Sequence, residues 1–520
     1  QAENLKQTQF GLQRDGIMFP NKPQVDLTNG LDYDGNPITP SVNGSRNDWA
    51  TAGFFGRINY SYDGKYLLEA NLRADGTSRF RKGNQWKTFP SFSLGWNVAR
   101  EHFFEPLNNI VNILKFRASY GLLGNQNTTN WYQTYQTMSV GSSNGAWLMN
   151  GNKPNTASAP GLVSASLTWE TIESYNLGLD WGVFNNRLTG SFDWYIRDTK
   201  NMVGNAPELP ALLGTGVPIT NNTDLRTSGW ELSIGWNDRL NNGFTYGAKF
   251  NVSDARTKIT RYPNNPTKAV STYIEGRYTN EIWGYTTVGL AKTDEEMQAH
   301  LATMPNGGQS ALGSDWKAGD IMYADINGDG KISGGSGTLN DTGDWTVIGN
   351  TTPRYLFGLD LNASWKGFDL RMFFQGVMKR DFWQGSTYLF GASNSGMWHA
   401  TGIESVSDYF RNDDTWSVQE GYQSPNLNSY LPRPLYSNKN LQTQTRYLQS
   451  AAYIRLKNLQ LGYTFPTRLT SRYGVQNLRI YFSGENLWTG TSLVDQFDPE
   501  TISGGSGGNG YPLSRTLSCG

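Results

Sequence analysis

The residues best suited to chemistry lie in one short stretch rich in oxygen-bearing side chains. Asp325, Asn327 and Asp329 alternate along the chain, and Gly330 and Lys331 follow them. Oxygen side chains at positions 1, 3 and 5, a glycine at 6 and a backbone carbonyl at 7 match the start of a calcium-binding loop. The sequence therefore predicts a site for calcium or another hard cation, with a plain Asx-rich turn as the alternative.

The acid that would complete this loop is not at its usual place. Position 12 is Ser336, so the stretch does not fit a standard EF-hand. The inserted glycines and serine delay the closing carboxylate to Asp341 or Asp344. Because no general base, nucleophile or oxyanion arrangement accompanies the motif, the predicted role of the ion is structural: it would stiffen a long loop.

Catalytic signatures are scarce in the rest of the chain. The sequence contains no G-x-S-x-G, H-E-x-x-H or Walker A motif. Adjacent acids such as Glu295-Glu296 and Asp413-Asp414 are typical of solvated loops, and spacing in sequence does not identify a glycosidase pair. We therefore predict no catalytic residues and no enzyme activity, with a loop-borne glycosidase as the weaker alternative.

The composition excludes several other classes of protein. Lys and Arg total 44 and balance 44 Asp and Glu, so no charge excess favours nucleic acid. The single cysteine, Cys519, rules out an intramolecular disulfide framework, and the three histidines are too scattered for a His-built zinc site. No apolar run approaches the about 20 residues that a transmembrane helix needs. Aromatic residues reach 13%, which a disordered chain would not carry.

Alternation of apolar and polar residues is the dominant pattern along the chain. Phe54, Ile58 and Tyr62 share one face, and Asp63-Gly64 then predicts a tight hairpin turn. Repeats of this pattern predict roughly 13 to 16 strands, with a β-bulge near Lys457-Asn458. Long connections are predicted at 1–50, 122–172, 199–228, 254–352 and 377–446. One helix is predicted there, capped near Thr293 and running from Met297 to Met304.

Strand length separates two architectures that could use this pattern. Soluble sandwiches and barrels use strands of about five or six residues. A membrane barrel uses strands of about 9–11 residues, an apolar outer band with aromatic girdles, short turns on one side and long loops on the other. The sequence matches the second description. We therefore predict an all-β fold, a large antiparallel transmembrane β-barrel with long extracellular loops.

Tryptophans in the predicted loops are candidate platforms for substrate. An aromatic plane packs well against the apolar face of a sugar ring, and a loop longer than about 15 residues is usually functional or disordered. For each of these residues the alternative is packing of one loop on another. The candidate substrate-binding residues are Trp131, Trp147, Trp383 and Trp398.

A series of ordered motifs resembles the barrel of SusC-like TonB-dependent transporters of Bacteroidetes. The motifs cover about residues 50–515. In chain order they are Phe55-Gly-Arg57-Ile-Asn-Tyr60-Ser-Tyr62-Asp-Gly-Lys65-Tyr66, Arg73-Ala-Asp75-Gly76-Thr-Ser78-Arg79-Phe80, Phe89-Pro90-Ser-Phe-Ser-Leu-Gly95-Trp96, Leu114-Lys-Phe-Arg117-Ala-Ser-Tyr-Gly121-Leu-Leu-Gly124-Asn125-Gln126, Trp169-Glu170 with Glu173-Ser-Tyr-Asn176-Leu-Gly-Leu-Asp180, Gly229-Trp-Glu231, the Asp325 motif with Ile348-Gly349-Asn350 and Pro353-Arg-Tyr355, Tyr453-Ile-Arg455-Leu-Lys-Asn458, and Asn486-Leu-Trp488 before Asp498-Pro499-Glu500.

The resemblance implies an active importer of oligosaccharides or peptides, embedded in outer-membrane lipid as a multi-pass barrel. A family barrel has about 22 strands and a plugged lumen. It is powered through the TonB complex and works with a SusD-like surface lipoprotein, and the resemblance also allows a dimer of transporter–lipoprotein pairs. It further implies that Asp344, rather than Asp341, closes a structural calcium loop with Asp325, Asn327, Asp329 and the carbonyl of Lys331.

Several parts of the family protein are not in this sequence. The signal peptide, the TonB box and the N-terminal plug all precede the barrel in the family. Residues 1–520 are therefore predicted to be the later part of a longer barrel. Two alternatives to an active importer fit the same features. A passive porin would share the barrel wall, and a surface glycan-binding or adhesion protein would share the aromatic residues of the loops.

Overall fold

Strands dominate the structure, which is a computed structural model. It describes residues 1–22, 24–126, 128, 130–138, 140–141, 148–157, 160–210, 212, 214–391, 407–503 and 510–520. Two of the predicted substrate-binding residues, Trp147 and Trp398, lie outside these ranges. No helix within them is both long enough and apolar enough to cross a bilayer.

One antiparallel sheet contains 14 strands of the described chain, each paired with its neighbours in chain order. The all-β prediction is confirmed, and the strand number lies within the predicted range. The strands are β1 (Ala2–Gln13), β2 (Ser41–Tyr62), β3 (Tyr66–Thr77), β4 (Trp86–Asn97), β5 (Val111–Asn125), β6 (Glu170–Val183), β7 (Leu188–Asn205), β8 (Ile219–Arg239), β9 (Thr245–Arg261), β10 (Arg354–Trp365), β11 (Phe368–Lys379), β12 (Tyr453–Thr464), β13 (Arg479–Thr491) and β14 (Thr516–Cys519).

The connections at the two ends of the sheet differ in length. At one end tight turns join β2 to β3, β6 to β7, β8 to β9 and β10 to β11. Asp63 and Gly64 have φ values of 51° and 61°, as a type I′ hairpin turn requires. The longest connections, 126–169, 262–353 and 380–452, all leave the other end. The sheet therefore has a turn end and a loop end.

The two faces of the sheet have opposite chemistry. Large apolar side chains project from one face, where Phe54 is 72% exposed, Leu94 56% and Leu177 55%. The other face is polar: Arg117 bonds Asp180 and Asp193, each at 2.9 Å. An apolar outer band around a polar interior is what a barrel wall in a membrane needs. We call the apolar face the outer face and the polar face the inner face.

The main hydrophobic core lies outside the sheet, at its loop end. The connections 262–353, 380–391, 407–452 and 492–503 pack together there, and we call this unit the loop domain. Ile321, Tyr323, Phe390 and Tyr447 are fully buried at its centre. Small sheets reinforce it, pairing Glu281–Gly284 with Thr346–Asn350, Thr287–Leu290 with Ile321–Tyr323, and Asp381–Trp383 with Leu448–Ser450.

Helices in the described ranges are few and short. Thr293 caps helix α1, which spans Asp294–Ala302, by accepting a bond from the Glu296 N–H at 3.2 Å. The predicted cap is confirmed, whereas the predicted bounds Met297 to Met304 are wrong. The α-helices are α1 (Asp294–Ala302), α2 (Thr387–Phe390), α3 (Trp416–Gln419) and α4 (Thr467–Thr470). Short 3-10 helices span Val25–Leu27, Val98–Arg100, His102–Leu107 and Ser471–Tyr473, and one further pair of strands joins Val140–Gly141 to Thr156–Ala157.

The prediction of a long connection over residues 1–50 is wrong. β1 occupies Ala2–Gln13 and pairs along its whole length with the first part of β2, where Leu5 faces Trp49. β2 itself has 22 residues, about twice what a membrane crossing needs. The upper half of this hairpin carries mostly polar side chains, with Phe10, Leu12 and Val42 as exposed apolar exceptions. The apolar alternation that marks the other strands is therefore missing there.

Candidate functional site

The Asp325 motif folds around its own carboxylates. The N–H groups of Gly328 and Gly330 donate to the two Asp325 oxygens at 2.7 and 2.8 Å. The Asp329 N–H donates to the Asn327 side-chain oxygen at 2.9 Å. Gly328 and Gly330 have φ values of 73° and 80°, a region that glycine enters at little cost. The motif is thus a compact turn whose oxygens point inward.

Asp344 lies against this turn and is fully buried. Its carboxylate accepts the N–H groups of Ile326 and Ser333, each at 2.8 Å. Asp341, in contrast, is exposed and accepts the Ser336 N–H at 2.8 Å in a neighbouring turn. Burial, and also the charge of Asp325, raises the pKa of Asp344. No basic side chain of the described ranges forms an ion pair with it.

The loop gathers oxygens without forming a ready-made metal cage. No group of three His, Cys, Asp or Glu side chains in the described ranges is arranged to hold a metal ion. Asp329 instead accepts the Lys331 N–H at 3.0 Å, and its carboxylate lies 4.0 Å from the Lys331 ammonium. A cation here would therefore also need the Asn327 side-chain oxygen and the Lys331 carbonyl, which are the neutral members of the predicted ligand set.

The two predicted aromatic platforms that the structure describes, Trp131 and Trp383, lie in different places. Trp131 packs edge-on against Trp49 at 6.4 Å between ring centroids, and the Arg79 guanidinium lies 4.5 Å from the Trp49 ring. Trp383 belongs to the loop domain, where its ring is 6.1 Å from that of Phe390. Both tryptophans are half-buried in separate packing clusters. The role of each tryptophan in binding sugar stays a prediction.

A buried charge cluster that the sequence did not reveal joins two connections of the loop domain. Asp320 is fully buried and accepts bonds from Arg433 at 2.8 Å, Lys439 at 2.9 Å and Asn440 at 2.9 Å. Burial opposes ionisation of Asp320, but the bonds from Arg433 and Asn440 outweigh it and lower the pKa of the carboxyl. The partners lie 113 to 120 residues away, so no local pattern marks them.

A second cluster fixes the last connection to β12. Arg455 is buried and donates to Asp498 and Glu500, each at 2.8 Å, while Lys457 donates to Glu500 at 3.0 Å. The register of β12 shifts between Leu456 and Asn458, so the predicted β-bulge is confirmed. Arg455 and Lys457 both reach Glu500. The sequence did point to these two segments, because residues 453–458 and 498–500 are both among the motifs that resemble SusC-like transporters.

The wall and the site together define a class of protein. A 14-stranded antiparallel wall with an apolar outer face, a polar inner face and long connections at one end is a membrane β-barrel. The family model for the TonB dependent receptor-like beta-barrel matches residues 3–377. The chain belongs to this family, whose members are outer-membrane proteins, and the SusC-like resemblance is confirmed.

Named relatives agree with this assignment. TonB-dependent receptor P3 of Formosa agariphila is 29% identical over 489 residues, which cover 91% of this chain and 44% of the relative. TonB-dependent receptor SusC of Bacteroides thetaiotaomicron is 27% identical over 472 residues, 89% of this chain and 42% of the relative. The chain thus spans less than half the length of these relatives.

Solved structures share the fold. The RagAB peptide transporter superposes with a TM-score of 0.73 at 21% identity, covering 100% of this chain and 52% of that one. The open-open state of the RagAB peptide importer gives 0.74 at 22% identity, with 100% and 51% covered. At this level of identity the likeness concerns the fold alone.

Proposed function

We propose that the protein is the barrel portion of an active outer-membrane importer of oligosaccharides or peptides, driven through the TonB complex. The observation that carries the proposal is the combination of a polar inner face with a folded loop domain at one end of the wall. Charged pairs such as Arg371 and Asp360 make the interior suitable for water and polar cargo. The relatives named as SusC and TonB-dependent receptors support the same conclusion.

Uptake in living cells tests this proposal. A strain lacking the gene is compared with the complemented strain for uptake of a labelled maltooligosaccharide and of labelled peptides, with and without a functional TonB. We expect uptake of one probe class to require both the gene and TonB. Uptake that persists without TonB would indicate a passive porin, and surface binding without uptake would indicate an adhesion protein. Shortened products released by the purified protein would indicate a glycosidase.

The proposed partner is a SusD-like surface lipoprotein that covers the loop domain. Trp416 and Tyr422 are exposed on this domain, with ring centroids 5.5 Å apart, and Tyr436 is also exposed. Exposed aromatic residues of this kind are enriched at protein interfaces. We expect the change Trp416→Ser with Tyr422→Ser to reduce co-purification of the lipoprotein. Tyr473→Ser, an exposed tyrosine at the turn end, is the matched control and should change nothing.

The proposed cofactor is a structural calcium ion at the Asp325 loop. The buried carboxylate of Asp344 supports it, because a divalent cation would offset a charge that no basic side chain in the described part of the chain balances. Asp325, Asn327, Asp329, the Lys331 carbonyl and Asp344 would hold the ion, which would stiffen the loop domain. The position of Asp344 and Asp325 against the same turn supports this donor set.

A melting experiment with two variants tests the cation site. Calcium added to the metal-stripped full-length protein should raise the melting temperature of the loop domain, and Asp344→Asn should abolish that rise. Asp341→Asn is the matched control because Asp341 is the other acid that follows the motif, and it should keep the rise. A wild-type protein whose melting does not respond to calcium, or a response lost only in Asp341→Asn, would contradict the proposed ligand set.

A further inference from the structure

Charged side chains begin on the outer face directly beyond the apolar band, at the loop end. On β8 the last outward aromatic residue is Trp230, and Arg226 lies two outward positions further along. On β9 the last outward apolar residue is Val252, and Asp254, Arg256 and Lys258 follow it in the same register. Cross-strand pairing sets Arg226 directly beside Lys258, and Arg256 beside Ser228. These three cations form one cluster, which we call the outer basic patch.

The acids near this patch already have partners. Asp198 accepts bonds from Arg226 at 2.7 and 2.8 Å. Three further acids are each paired with a cation: Glu173 with Lys200, Asp224 with Arg261, and Asp254 with Arg354. These acids therefore have other cations as their hydrogen-bonded partners, and Arg256 acts on Asp254 only through its charge.

Arg256 and Lys258 are the two cations of the outer basic patch without an ion-pair partner in the described ranges. Both are exposed, and neither forms an ion pair with any residue that the structure describes. The Arg256 guanidinium lies 3.6 Å from the centroid of the Tyr278 ring, which fixes its position by a cation–π contact. Two residues apart on one strand face, the side chains start about 7 Å from each other. The patch thus presents two positive charges that form no ion pair. Arg226, which is paired with Asp198, adds a third positive charge.

The position of the patch points to its ligand. Tryptophan and tyrosine at the edge of an apolar band lie at the headgroup level of the membrane, as Tyr175 and Trp230 do here. Cations placed just beyond them therefore face lipid headgroups rather than the transport path, which lies on the inner face. We propose that Arg226, Arg256 and Lys258 bind the phosphate groups of the phosphorylated glycolipid in the outer leaflet.

A lipid-binding measurement on the full-length protein tests the inference. The purified, detergent-exchanged protein is titrated with diphosphorylated lipid A, with dephosphorylated lipid A and with inorganic phosphate. We expect diphosphorylated lipid A to bind and the change Arg256→Gln with Lys258→Gln to weaken binding about 10- to 30-fold. Lys366→Gln, an exposed cation at the turn end, should bind like the wild type. Heat-modifiable migration on gels confirms that each variant is folded.

Further variants decide how the result is read. The charge-conserving change Arg256→Lys with Lys258→Arg should retain binding within about threefold, since lysine and arginine both supply the charge. If the double glutamine variant does not fold, the single changes Arg256→Gln and Lys258→Gln should each weaken binding about three- to fivefold. Equal affinity for dephosphorylated lipid A, unchanged affinity in the folded glutamine variants, or displacement of the lipid by millimolar inorganic phosphate would overturn the assignment.

Discussion

The barrel wall and the loop domain bury opposite kinds of side chain. In the wall, apolar residues such as Leu177 point away from the protein, while Arg117 and its two acids point inward. In the loop domain, Ile321 and Tyr323 are fully buried. The difference comes from the solvent: lipid surrounds one region and water the other. Exposure of an apolar residue is therefore unfavourable in the loop domain and favourable in the wall.

The two regions also depend on different sources of stability. The wall has continuous ladders of backbone hydrogen bonds from β1 to β14, and in lipid an unmade bond of this kind costs several kcal/mol. The loop domain has only small sheets and depends on apolar burial around Tyr323 and Tyr447. A single substitution should consequently affect one region much more than the other.

The largest expected effect concerns the buried charge cluster of the loop domain. Asp320→Ala would leave Arg433 and Lys439 without their acid, at a cost of about 3 to 5 kcal/mol. Hydrogen exchange of residues 285–323 in the full-length protein should accelerate, whereas exchange in the wall should not. Asp414→Ala, at an exposed acid, is the control. Equal exchange in Asp320→Ala and the wild type would show that the cluster does not hold the connections together.

The second prediction compares two exposed apolar residues in different solvents. Leu177 lies on the outer face between Tyr175 and Trp181, so Leu177→Arg should destabilise the wall by about 2 to 4 kcal/mol. Tyr436 is exposed on the loop domain, and Tyr436→Arg should stay within about 0.5 kcal/mol. Urea unfolding in lipid vesicles measures both. Similar costs for the two changes would contradict the assignment of lipid to the outer face.

The third prediction uses the pKa of Asp344, which burial raises. An acid with a raised pKa in the folded state penalises folding above that pKa. Without calcium, the loop domain should therefore gain on the order of 1 kcal/mol as the pH falls from neutral through the raised pKa. Calcium should stabilise less at the lower pH because the proton competes for the carboxylate.

Asp344→Asn isolates this effect from the other titrating acids. The pH dependence of the melting temperature is measured for wild type and variant, and the difference between the two curves belongs to Asp344. Asp320 acts in the opposite direction, since its lowered pKa makes the loop domain less stable in acid. Parallel curves for wild type and Asp344→Asn would show that Asp344 does not titrate in this window.

The smallest expected effect concerns the inner face. Arg117→Gln removes the partner of Asp180 and Asp193, but its side chain is 31% exposed to the interior, so water compensates for much of the loss. We expect a destabilisation of about 1 kcal/mol or less. The temperature of heat-modifiable migration is the measurement, with Arg57→Gln as an exposed control. A loss of several kcal/mol would mean that the interior excludes water at this level.

The sequence predicted the wall far better than the loop domain. Alternation at Phe54 to Tyr62 is a local signal, and the strand, its turn and its lipid face all follow from it. The core around Tyr323 depends on which connections meet, and Lys439 and Tyr323 are 116 residues apart. β1 was missed for a different reason, because polar residues on both of its faces interrupt the alternation. The Asp325 motif was visible locally, but the burial of Asp344 depends on the folded loop domain.

The bulge at Lys457 also determines where the chain tolerates a change in length. Outward residues of β12 fall on even numbers up to Leu456 and on odd numbers from Leu459, because one unpaired residue lies between them. A deletion elsewhere in a wall strand would invert the parity of everything beyond it and turn charged residues toward lipid. A deletion of Lys457 would restore regular pairing with β11 and leave the lipid-facing residues of β12 on their face. β12 can thus lose Lys457 with only the loss of its contact to Glu500, and the strand keeps the same residues facing lipid.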